Sequence, residues 1–128
     1  MPRSRRLSLT LAFGAAVLLV AALALAADAT AKPALKVVEA KKVCMVTNHV
    51  FDKDQIPISV AGKTYYGCCQ MCKERLAKDA ASRTAVDPVT GKKVDKAAAV
   101  IAALPDGTVL YFESEKTLEE YQNGKGKQ

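Results

Sequence analysis

Two stretches of this 128-residue chain repeat one another, and a repeat restricts the fold more than composition does, because each copy must close on its own short length. Lys42-Val43-Cys44 aligns with Pro88-Val89-Thr90, and the run from Tyr65 to Leu76 aligns with the run from Leu110 to Tyr121. The offset is 46 residues at the front and 45 at the back, so one residue is lost in the stretch between, which reads as a loop. Each copy predicts the same plan: an extended Val-containing start, a variable connection, a short hairpin and a short helix. Ala61-Gly62-Lys63 and Pro105-Asp106-Gly107 mark the hairpin turns. The returning strands, Thr64-Tyr65-Tyr66 and Thr108-Val109-Leu110-Tyr111-Phe112, are β-branched or aromatic. Helices are expected over 69–81 and 115–122, the second with Ser114 as N-cap and Gly124 as its stop. The alanine-rich stretch 96–104 has helical propensity, whereas the repeat requires a strand in its later part, Val100 to Leu104. The expectation is a small α+β protein.

The first 27 residues read as an address. Arg3, Arg5 and Arg6 precede an almost wholly apolar run from Leu11 to Ala27, and Ala24-Leu25-Ala26 supplies small residues before Asp28, the layout of a secretory signal peptide. Sec export is the simplest reading. Ser4-Arg5-Arg6 with Leu9 partly matches the twin-arginine pattern, and an uncleaved run would approach the ~20 apolar residues that span a bilayer. The expected location is therefore the bacterial periplasm, with no membrane association unless the segment is retained. Residues 28–38 read as a flexible leader, 39–83 and 84–123 as the two units, and 124–128 as a tail. Three of the arginines in the net charge of +6 lie in the address, leaving +3. With acids interspersed among the lysines, this does not make a nucleic-acid surface.

All four cysteines, Cys44, Cys68, Cys69 and Cys72, lie in copy one. With a helix starting near Cys69, Cys68 and Cys72 are four residues apart across its first turn and point to one side. A helix N-terminus favours thiolate, the form that binds metal. Cys44 arrives from a separate extended segment as a third ligand, and closing this segment onto an ion would help fold a unit too small to rely on its core. Cys69, adjacent to Cys68, is either a fourth ligand or turned away. His49, the one histidine, would complete a tetrahedral zinc site; Met45 and Met71 are either packing residues or soft donors suited to Cu(I).

Cys44 and Cys68-x3-Cys72, preceded by Gly62-Lys63-Thr64-Tyr65-Tyr66, resemble the TRASH domain, a small metal-trafficking and metal-resistance module, and the related YHS domain. Copy two resembles YHS in outline through Asp87-Pro88-Val89-Thr90-Gly91 and the run Tyr111 to Tyr121, with its cysteine positions reading Thr90, Glu113 and Thr117. The resemblance covers about residues 40–121. It implies two tandem treble-clef-like units, the first holding heavy metal through its cysteines and the second without ligands.

An exported chain with an even number of cysteines also fits a disulfide framework. The alternative to a metal site is thus a disulfide-stapled interaction module without metal. A Cys68–Cys69 bond is strained, and a second bond at helical spacing is awkward, which favours metal. An enzyme is not expected: no nucleophile has a base nearby in sequence, no Gly-rich phosphate loop is present, and Asp52 with Asp54 and Glu113 with Glu115 read as solvated charges. Cys69-x2-Cys72 lacks a surrounding βαβ pattern for a redox motif. The expected function is an exported chaperone, scavenger or sensor of Cu(I) or Zn(II), held by Cys44, Cys68, Cys72 and, in the four-ligand form, Cys69. A metal-transport or metal-resistance protein is the expected partner.

Overall fold

A computed structural model describes residues 34–125; the address segment and most of the leader lie outside the described residues. The elements follow in the order β1 (Lys36–Val37), β2 (Val43–Cys44), β3 (His49–Val50), β4 (Ile56–Val60), β5 (Lys63–Gly67), α1 (Gln70–Lys78), β6 (Thr84–Val86), β7 (Lys93–Asp95), β8 (Val100–Ala103), β9 (Val109–Phe112) and α2 (Glu115–Glu120). Strands pair antiparallel as β1-β8-β9, β2-β3, β4-β5 and β6-β7. This is an α+β architecture with two hairpins and one α-helix in each copy.

The β4–β5 hairpin turns through Ala61 and Gly62, both at positive φ (51° and 76°), the backbone that matches strand twist in a two-residue loop. The alanine-rich stretch resolves in favour of the repeat. Val100–Ala103 is a strand, with Ile101, Ala102 and Ala103 buried, so pairing and burial override helical propensity. The first helix is shorter than the expected 69–81. It ends at Lys78, where the Asp79 side chain accepts from Ala81 N–H at 2.9 Å and starts a separate 3-10 turn over Ala80–Arg83. The second ends at Glu120 and runs into a wider turn over Tyr121–Lys125, closed by Gly124 at φ 86°. The leader expected over 28–38 is not flexible at its end: Lys36 and Val37 pair with Ala103 and Ala102, covering an edge of β8 that would otherwise offer unpaired backbone groups.

The strand registers also correct the alignment of the two copies. Val43 pairs with Val50, as Val86 pairs with Lys93. The intervening turns match as well, with Asn48 at φ 54° and Gly91 at φ 72°. Cys44 therefore corresponds to Asp87 and not to Thr90, an offset of 43 residues. Val46-Thr47 superposes on Val89-Thr90, and copy two is longer between its anchors, not shorter. Apolar identity at Val43 and Val89 anchors the sequence alignment on residues that the turn geometry does not equate.

Of the two hydrophobic clusters among the described residues, the smaller, Ala102, Phe112 and Leu118, lies within copy two, and the larger is shared by the copies. Val43, Met45, Tyr65 and Leu76 from the first pack with Ile101, Ala103, Val109 and Tyr111 from the second. Backbone bonds from Val50 N–H to the Gly107 carbonyl and from Val109 N–H to the Asn48 carbonyl, both 2.9 Å, stitch β3 to the β8–β9 turn. His49 lies over that turn. A Cβ on Gly107 would meet its imidazole at 2.5 Å, and the φ of 87° there also favours glycine.

Candidate metal centre

Cys44 ends β2 and is fully buried. Met45 N–H donates to the Tyr66 carbonyl at 2.9 Å, tying the Cys44 strand alongside β5 and delivering its side chain to the end of the hairpin. There Cys68 follows Gly67, and Cys72 stands in the first turn of α1. Only Cys72 and Leu76 of α1 are buried, so the one inward stripe of an otherwise polar helix carries a sulfur and an apolar anchor. Gly67 makes the approach possible: a Cβ there would lie 3.0 Å from Cys72 Cβ and 3.1 Å from Lys73 N. The equivalent position in copy two holds the buried Phe112.

The sulfurs of Cys44, Cys68 and Cys72 all lie within 4.8 Å of one another, with Cys68 and Cys72 at 3.6 Å. Three sulfurs bound to one ion at ~2.3 Å stand roughly 3.8–4.0 Å apart, so the group already has nearly the span an ion requires. The 3.6 Å separation is well beyond the ~2.05 Å of a disulfide. Among the described residues no fourth histidine, cysteine or acid belongs to this group. Cys69 is exposed, the N-cap of α1, and lies outside it. His49 pairs with Cys44 across β2–β3, but its ring is spent edge-on against Phe51 at 5.3 Å. Met45 is buried in the shared core, and Met71 is 80% exposed.

The surroundings treat the three thiols differently. Burial pushes the Cys44 thiol up, but hydrogen bonding from the Thr47 side chain and from the N–H groups of Thr47, Cys68 and Val46 outweighs it and brings the group down to about 7. Cys68 is raised, first by the neighbouring Cys44 sulfur and then by burial. Burial, followed by the sulfurs of Cys68, Cys69 and Cys44, pushes Cys72 up to about 12. Of the three thiols, Cys44 is thus the one most readily ionised.

Copy two shows the same cradle occupied differently. Asp87, fully buried, accepts from Val89 N–H at 2.7 Å and Thr90 N–H at 3.2 Å through Oδ1, and from Glu113 N–H at 2.7 Å through Oδ2. These are the counterparts of the Val46, Thr47 and Cys68 donors around Cys44. Burial raises the Asp87 carboxyl, but these bonds, with the Thr117 hydroxyl, hold it below the usual carboxylate range. Thr117 is the counterpart of Cys72. A carboxylate with its hydrogen bonds therefore closes copy two where three sulfurs converge in copy one. The ligand positions of copy two read Asp87, Glu113 and Thr117.

Sequence reasoning missed Asp87, Gly67 and a buried lysine, Lys96. The parallel of Cys-Met-Val-Thr with Asp-Pro-Val-Thr was the signal that could have found the first. No protein-family model, no curated protein and no solved structure matches the chain.

Proposed function

We propose that this chain is an exported heavy-metal-binding protein, a chaperone, scavenger or sensor that holds Cu(I) or Zn(II) as a thiolate complex of Cys44, Cys68 and Cys72. The convergence of three sulfurs from two separate segments within 4.8 Å carries this reading. Copy two supports it by contrast, since the same anion cradle holds a fixed carboxylate there. A three-sulfur set suits soft Cu(I); Zn(II) would take its fourth ligand from Cys69 or from solvent. The resemblance to TRASH and YHS units, the treble-clef-like character of the copies and a periplasmic location reached through the N-terminal segment belong to this proposal. So do a metal-transport or metal-resistance partner and the absence of enzymatic activity.

The test is metal affinity of cysteine variants, measured by competition with a chromophoric chelator. Cys72→Ser should lose roughly a hundredfold or more in affinity, since a ligand outweighs the second-shell effects that already reach ~10–100-fold. Cys69→Ser should keep wild-type affinity for Cu(I). Undiminished binding in Cys72→Ser would contradict the three-sulfur site.

A further inference from the structure

Lys96 lies in copy two, just after β7, and is 5% exposed. Its Nζ donates to the Met45 carbonyl at 2.6 Å and to Asn48 Oδ1 at 2.8 Å, both in the turn that begins with Cys44. It also sits 5.1 Å from the centroid of the Tyr111 ring. None of these partners carries a charge, and among the described residues no carboxylate pairs with it. Taking an ammonium out of water without a counter-ion is unfavourable, so a buried lysine with no carboxylate partner either gives up its proton or is held charged by another anion. The turn that Lys96 braces is the one that carries the Cys44 thiol. Burial lowers its basicity, and the Cys44 sulfur acts against that loss.

We propose that Lys96 is the internal counter-charge of the metal–thiolate unit, supplied by the second repeat to a site built in the first. This inference rests on the metal-binding reading above and adds a residue that governs which ions the site tolerates. A divalent ion on three thiolates leaves one negative charge, and a monovalent ion leaves two. Lys96 cancels the first and halves the second. Its removal raises the energy of the monovalent complex more than that of the divalent one, because the attraction scales with the charge it faces. The free site is common to both, so affinity for the monovalent ion falls relative to that for the divalent ion. A lysine that merely anchored the turn would affect both ions equally.

The experiment uses the full chain, loaded separately with Cd(II) and Cu(I) at pH 8 and measured by chelator competition, in wild type, Lys96→Met, Lys96→Gln and Lys96→Arg. Gln keeps a donor for Met45 and Asn48 without the charge, and Arg keeps the charge. The expected result is about a tenfold fall in affinity for Cu(I) relative to that for Cd(II) in Met and Gln, within the range of second-shell effects, with the ratio in Arg nearer to wild type. An unchanged ratio of the two affinities, or loss of the folded circular dichroism signal in both neutral variants, would overturn the proposal and leave the three-sulfur site standing. A wild-type chain that takes up neither ion would overturn both.

Discussion

Cys44 and Asp87 occupy equivalent turns, and the contrast between them separates two ways of closing a small unit. Both side chains receive the N–H groups of the residues two and three further on, together with that of the residue following the hairpin. A carboxylate satisfies these donors permanently at neutral pH. Its folded-state pKa lies below the ~3.9 of an unfolded aspartate, so its contribution is fully present above that value and is lost as pH falls through the folded value. Asp87→Asn turns an amide toward N–H groups that need an acceptor. It should cost about 1–3 kcal/mol at pH 7, the range for a buried group left unsatisfied. Urea midpoints of wild type and variant should draw closer as pH is lowered from 7 to 3, because below ~3.9 the unfolded chain takes up a proton that the folded carboxylate resists; a gap of the same size at both pH values would contradict the assignment.

At the scale of the element, the β4–β5 hairpin and α1 set the site through their junction at Gly67. Gly67→Ala places a methyl group 3.0 Å from Cys72 Cβ and 3.1 Å from the Lys73 nitrogen, neither the free end of a flexible side chain. Overpacking of this kind costs about 1–3 kcal/mol, and relief requires α1 to move away from Cys68. The variant should therefore lose both thermal stability and metal affinity; unchanged affinity would show that the junction does not position Cys72. The β4–β5 and β8–β9 hairpins and the Ser114 cap were legible in the sequence because turn and capping residues act locally, whereas the Val100–Ala103 strand was legible only through the repeat, against the helical propensity of its alanines. The ends of α1 and the strand at Lys36–Val37 were not, since an Asp79 side-chain bond and a free edge of β8 decide them. The three converging cysteines were legible from spacing alone. Lys96 was not, because its contacts with Met45 and Asn48 span 51 and 48 residues of chain.

Across the molecule, the two repeats do not behave as beads. Met45 and Tyr65 share a core with Ile101 and Tyr111, β1 from the leader completes the sheet of copy two, and Lys96 reaches back into the turn of copy one. A chain of this size whose main core draws on both copies should unfold in a single transition. Metal that binds only the folded state should raise that single midpoint by mass action. Two resolved transitions, only one of them sensitive to chelator, would contradict the shared core. The measurement that tests the metal site most directly is native mass spectrometry of the full chain, purified without reductant and offered Zn(II) or Cu(I). The account predicts one ion per chain, three protons displaced relative to the neutral thiol form, and release of the ion on acidification to leave free thiols. A metal-free chain lacking its cysteine hydrogens would show disulfides in place of the three-sulfur site and contradict it.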